Sequence, residues 1–195
     1  MNREIFHCTA QFELRAEGDT GNLLVGYAAV FDVPYETEYF REFVRPGAFA
    51  RALREKQDVR GLINHDSNHI LGRLSAETLR LVEDSKGLRF EIDMPDRSDA
   101  RDLRESIKRK DITGCSFGFR AVKQEWDDSG IKPTRSLLDV DLYDVGPVTY
   151  PAYDDTTVAI RSLEQWRNEH SPQPKTAPLS LLKARQRQAI ALGEC

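Results

Sequence analysis

Three side chains of this 195-residue chain stand where nucleophilic catalysis would want them: Ser116, His65 and Asp144. Ser116 lies in Gly114-Cys115-Ser116-Phe117-Gly118-Phe119. Strand alternation puts its hydroxyl on one face and Phe117 and Phe119 on the other. The aromatic face would anchor in a core while the other presents the hydroxyl. Gly114 and Gly118 would let a backbone or a substrate come close. Glycine-flanked serines also occur in ordinary buried strands, so Ser116 gains meaning only beside a base. The chain has four histidines, His7, His65, His69 and His170. His65 ends a short apolar stretch and enters a polar loop, so it would be well held yet reachable. Asp144 continues the apolar face of Leu138, Val140 and Leu142. A carboxylate there is costly unless paired. Its partner is either His65, which it would orient, or an arginine such as Arg120 in a structural ion pair. Asp66 and His69 are alternatives for the orienting role. A nucleophile, a base and an orienter together describe acyl transfer through a covalent intermediate.

A second chemistry competes for the same histidine. His65-Asp66-Ser67-Asn68-His69 fits H-[DE]-x-x-H, close to the zinc metalloprotease motif. That motif needs both histidines on one face of a helix, with a glutamate as base. Here the preceding residues read as strand, Ser67-Asn68 is poor helix interior, and aspartate replaces the glutamate. No third ligand is evident. The expectation is no metal and no cofactor.

The elements that must position these groups are mostly strands. Alternation from Phe6 to Leu14 predicts a half-buried strand, a turn follows at Gly18 to Gly21, and Leu23 to Phe31 reads as a buried strand pairing back. Asp32 to Glu42 reads as a polar loop. Pro46-Gly47 opens a short helix over Ala48 to Lys56. Val59 to Asn64 is a strand, and His65 to His69 its loop. Leu74–Glu83 and Leu88–Asp93 form a hairpin. Ser98 caps a helix whose stripe is Ala100, Leu103 and Ile107. The Ser116 strand runs to about Trp126, and the Asp144 strand from about Arg135 to Val145, broken by Gly146-Pro147. Pro151 marks an exit, and Asp155 caps a last helix to about Asn168. The fold class is therefore mainly β with peripheral helices (α+β), a small antiparallel barrel or sandwich.

Residues 1–170 suit one domain. The Pro-rich stretch 171–178 reads as a linker, and 179–195 as a basic amphipathic tail, either frayed or a docking peptide. Lys and Arg number 28 against 32 Asp and Glu, a net charge of −4, which argues against a nucleic-acid binder. Three widely spaced cysteines, Cys8, Cys115 and Cys195, give neither a disulfide framework nor a metal pair and fit a reducing compartment. No apolar run approaches the roughly 20 residues of a membrane span. The first residues lack the apolar core of a signal peptide, so the expected location is the cytosol.

Five stretches occur in an order that resembles the prohead (capsid-maturation) serine proteases of tailed phages. They are Gly26-Tyr27-Ala28-Ala29-Val30-Phe31, Val44-Arg45-Pro46-Gly47-Ala48-Phe49, Asn64-His65-Asp66 with Leu71-Gly72-Arg73, Gly114 to Phe119, and Leu142-Tyr143-Asp144-Val145 with Thr149-Tyr150-Pro151-Ala152-Tyr153. The similarity covers roughly residues 5–163. The family histidine falls on His65 and its serine on Ser116, and its glutamate-valine-serine motif is Asp144-Val145-Gly146 here. The family is similar in fold to the herpesvirus assembly proteases, whose second histidine holds a place comparable to Asp144. The resemblance implies a herpesvirus-protease-like barrel and a serine endopeptidase acting in the immature capsid, inside the infected bacterial host. Its partners would be the major capsid protein or scaffold, as substrate. The enzyme would also trim itself, with the basic tail as a removable segment, and Cys115 becomes an ordinary buried neighbour. A homo-oligomer stays open, as does a non-enzymatic assembly module in which Ser116 and His65 are structural.

Overall fold

The computed structural model describes residues 3–8, 13–15, 22–150 and 156–170. The turn expected at 18–21, the exit at 151, the cap at 155, the linker and the basic tail lie outside them. The described chain divides into two units, at residues 161 and 162, and both sheets belong to the first.

The alternating N-terminal stretch yields two strands instead of one, β1 (Glu4–Cys8) and β2 (Glu13–Arg15). β3 (Leu23–Val30) follows, and the expected polar loop contains β4 (Tyr35–Glu36) and the start of β5 (Arg41–Val44). Then come α1 (Ala50–Arg54), β6 (Arg60–Ile63), β7 (Asp66–Arg73), β8 (Leu79–Glu83) and β9 (Gly87–Asp93). The last described elements are α2 (Ser98–Lys108), β10 (Gly114–Asp127), β11 (Thr134–Val148) and α3 (Thr156–His170). In α2 the expected stripe, Ala100, Leu103 and Ile107, is buried, but the cap position falls on Arg97 and Ser98 is the first helical residue. The first-turn charge comes from Asp99, whose carboxylate accepts the Ala100 N–H at 2.9 Å.

The strands form two open sheets. The first has the order β1-β10-β11-β5-β4, with β6 pairing β11 and β7 pairing β6; the second runs β2-β3-β9-β8. β2 and β1 thus go to different sheets. Of the expected antiparallel barrel or sandwich with peripheral helices, the mainly β class with helices holds, while the closed barrel and the antiparallel order are corrected: the sheets are open and β11 has parallel neighbours. β11 is long enough to share one side between two parallel neighbours, β5 along Thr134–Leu137 and β6 along Asp144–Val145. Between them the backbone of the α1 approach fills the gap, with Arg45 N donating to Leu137 O at 3.0 Å and Val140 N to Ala48 O at 3.1 Å. The edge strands β1 and β4 approach until Phe6 and Tyr35 lie 5.4 Å apart, yet no ladder joins them.

β11 also runs through Gly146-Pro147, where a break was expected. The Pro147 carbonyl accepts the Asn64 N–H at 3.0 Å, on the β6 side. A residue's N–H and C=O point to the same side of a strand, so the missing proline N–H would also lie there, and the β10 ladder loses nothing.

The core joins both sheets. Phe117 is its hub, with Phe6, Phe49 and Phe119 rings at 5.1, 5.2 and 5.0 Å. All four rings are buried, each contributing about 1.5–3 kcal/mol. Cys115 belongs to the same cluster. This anchored face fixes the height and twist of β10 and presents its alternate residues, Ser116 and Gly118, on the other face.

Candidate active site

The register of β10 against β11 builds the site. Ser116 faces Gly146, and Gly118 faces Asp144. Ser116 and Asp144, the two candidate side chains, thus stand on one diagonal of a four-residue square, and the two glycines on the other. Diagonal neighbours across an antiparallel pair lie roughly 7–8 Å apart, a span that one imidazole can bridge. Both glycines are needed for space. A side chain on Gly146 would run into the carbonyl of Leu62 on β6. One on Gly118 would run into Asp144 Oδ2 and Arg3, whose Nε would be 2.8 Å away. Gly118 was expected to admit a backbone or a substrate; two charged side chains of the chain itself fill that space.

The imidazole arrives on a hairpin. Ile63 pairs with Asp66, so Asn64 and His65 form a two-residue loop between β6 and β7. Both have positive φ, 51° and 59°, the requirement of a type I′ turn, which suits the twist of its strands. Asparagine and histidine are both enriched among the non-glycine residues that adopt this left-handed conformation, so the pair suits the turn. The turn is tied to the end of β11. Asn64 Nδ2 donates to Thr149 Oγ1 at 3.2 Å, and Thr149 N donates to Asn64 Oδ1 at 2.8 Å. The loop expected over residues 65–69 is therefore this turn plus the start of β7.

The three groups meet in a row. His65 Nε2 lies 2.7 Å from Ser116 Oγ, and His65 Nδ1 is hydrogen-bonded to Asp144 Oδ1. The row is shielded: Ser116 is 0% exposed, and the His65 and Asp144 side chains 10% and 2%. An ionised Asp144 accepts from Nδ1–H, which leaves the Nε2 lone pair facing the hydroxyl, the tautomer a general base needs. The hydroxyl has a second acceptor, the Phe6 carbonyl of β1 at 2.7 Å. Asp144 Oδ2 receives the Arg3 guanidinium, whose Nη2 is also 3.5 Å from His65 Nδ1.

The other candidates go elsewhere. Arg120 pairs with Asp141, not Asp144. His69 contacts Asp99 at 3.2 Å and is 4.0 Å from Asp66, whose carboxylate accepts the Asn68 N–H at 2.8 Å. Neither His69 nor Asp66 bonds to His65 among the described contacts. The helix that the HDxxH chemistry requires is absent: His65 is in a turn and His69 on a strand. No cluster of three or more metal-ligating side chains occurs among the described residues. Sequence reasoning missed Arg3, the Phe6 carbonyl and the space made by Gly146. The last had a signal, a glycine two residues beyond a strand carboxylate; the first two had none.

The described helices include none long and apolar enough to cross a membrane. No curated protein and no solved structure matches the chain. The sequence pattern of the caudovirus prohead serine proteases matches residues 10–169, a stretch that holds Ser116, His65 and Asp144 together. By that match the chain belongs to the caudovirus prohead serine protease family, the proteases of phage capsid maturation.

Proposed function

We propose that this chain is a serine endopeptidase in which Ser116 is the nucleophile, His65 the general base and Asp144 the carboxylate that orients it. The observation that carries this is the row Asp144–His65–Ser116, spanning one diagonal of the β10–β11 ladder. Ser116 Oγ attacks the scissile carbonyl while His65 Nε2 takes its proton. Asp144 stabilises the imidazolium that forms, and His65 returns the proton to the leaving amine. Water then repeats the sequence on the acyl-enzyme. The Phe6 carbonyl competes with His65 for the hydroxyl proton, and Ser116 is closed to solvent, so a peptide reaches it only when its surroundings make room.

The substrates in this reading are scaffold or the scaffolding segment of the major capsid protein, and the enzyme itself, cut inside the prohead in the infected bacterium. The basic tail beyond residue 178 is the segment removed. Support comes from the family match and the hydrogen-bonded row. Mass spectrometry of the protein co-expressed with its capsid protein, wild type against Ser116→Ala, tests it. Defined cleavage products that vanish in the variant are expected; unchanged products would remove Ser116 from the mechanism.

A further inference from the structure

We propose that Arg3 is a positioning residue of this active site: its guanidinium, carried on the segment leading into β1 and laid across Gly118, clamps the outer oxygen of Asp144 so that the inner oxygen is presented to His65. The inference rests on the Ser116–His65–Asp144 reading.

The geometry spans three strands. β1 and β11 are not neighbours; β10 lies between them. Arg3 reaches Asp144 because the residue in its path is Gly118, where an added Cβ would lie 2.8 Å from Arg3 Nε and 3.0 Å from Nη2. Asp144 is 2% exposed and Arg3 38% exposed, so one end of the pair is dry and the other reaches water. A dry carboxylate with no countercharge swings toward solvent or takes up a proton, and either outcome spoils it as a partner for Nδ1–H. Besides the His65 contact, the side chain that brings a positive charge onto Asp144 among the described residues is Arg3. Arg60, opposite Asp144 in the β6 register, turns instead to Asp58, with its Nη1 on the Asp58 carbonyl at 2.8 Å.

β1 is itself fixed from its other face. Glu4 is buried and paired with Arg135 on β11, while the Phe6 ring packs on Phe117. With Glu4 held opposite Phe119, Arg3 is anchored at the start of β1, and its side chain reaches diagonally across Gly118, whose register partner is Ile5. Arg3, Glu4 and Phe6 all lie before residue 10, where the family match begins. The clamp is supplied from outside the part of the chain that carries the nucleophile, the base and the carboxylate.

The test uses the full-length protein and a fluorophosphonate probe, which needs no knowledge of the natural substrate. Ser116 Oγ attacks phosphorus, fluoride leaves, and His65 takes the hydroxyl proton. Arg3→Gln is expected to slow Ser116 labelling by about tenfold to a hundredfold, the scale of a slightly misplaced catalytic group. The melting temperature should change little. In the non-reacting Ser116→Ala background, the low-field proton signal of His65 Nδ1–H bonded to Asp144 should broaden or move upfield on Arg3→Gln. Arg3→Lys, which restores the charge, should restore the signal and part of the rate. Should Arg3→Gln not fold, Arg3→Met, which keeps the apolar stem, takes its place. Wild-type labelling and a wild-type Nδ1–H signal in the folded neutral variant would overturn the clamp and leave the serine mechanism standing. Failure of the wild type itself to label at Ser116 would overturn the underlying reading instead.

Discussion

At the scale of single residues, the two glycines of the β10–β11 square do different work, and their substitution should fail differently. Around Gly118 the obstacles are side-chain ends, Asp144 Oδ2 and the Arg3 guanidinium. These can move, but moving them disturbs the group that holds His65. Around Gly146 the obstacle is backbone, the Leu62 carbonyl and nitrogen, the latter at 3.2 Å from an added Cβ. That strand cannot swing aside without leaving β11. Gly118→Ala should therefore keep the fold and lower the rate of Ser116 labelling by about tenfold or more. Gly146→Ala should cost about 1–3 kcal/mol of stability, the range for overpacking a tight site, with lost activity following from a displaced hairpin. Denaturant melts beside labelling rates separate the two. Equal stability losses with equal rate losses would show that the square is not divided in this way.

At the scale of elements, the β6–β7 hairpin decides where the imidazole stands, and its two-residue turn is the sensitive part. Asn64 supplies a left-handed backbone and two hydrogen bonds to Thr149. Asn64→Asp keeps tolerance of that backbone and one acceptor, and should stay near the wild type in melting temperature and labelling rate. Asn64→Val loses both and puts a branched side chain at positive φ, costing about 1–2 kcal/mol from the backbone alone. A valine variant as stable and active as the aspartate one would show that the turn conformation does not matter. This hairpin was also the least legible element. Asn-His is not a turn dipeptide that sequence rules flag, as Asn-Gly would be. The first five residues of β7, Asp66 to Ile70, are all exposed, so no apolar alternation marks them as strand. Ser116 was legible for the opposite reason: it interrupts a strongly apolar strand, where a polar side chain needs an explanation. Asp144 was singled out on a face argument that the ladder corrects: Phe119 faces Leu142 while Gly118 faces Asp144, so Tyr143 is an extra residue and Asp144 stands on the Ser116 side, opposite the core residues Val140 and Leu142. Gly146-Pro147 misled because composition cannot show which side of a strand a missing N–H faces. Arg3 was illegible because its contact is made 141 residues away, across an intervening strand.

At the scale of the molecule, the sheet that carries the site is pinned on its other side by one buried guanidinium. Arg135 of β11 is 1% exposed and bonds to Glu4 of β1, Gln124 of β10 and Glu42 of β5, four consecutive strands of the first sheet. Two carboxylates share one cation. Burial pushes the Glu42 carboxyl above its ordinary range, reinforced by Glu4 and only partly offset by Arg135. Arg135 is itself held above its usual value, because Glu42 and Glu4 outweigh the cost of burial. Removing the cation strands both carboxylates, so Arg135→Met should cost about 3–5 kcal/mol. The surplus carboxyl has a signed pH consequence. The folded state keeps a proton on Glu42 that the unfolded chain releases near pH 4.3. The stabilisation this gives is fully present below that pH and is lost as pH rises towards the higher folded value. Glu42→Gln keeps a neutral partner at every pH and removes the penalty. Its melting temperature relative to wild type should therefore rise steadily from about pH 4.5 upward until Glu42 ionises in the folded wild type, the interval set by the two titrations. A difference that stays constant with pH would mean that Glu42 is already ionised in the fold, with Arg135 balancing two full negative charges.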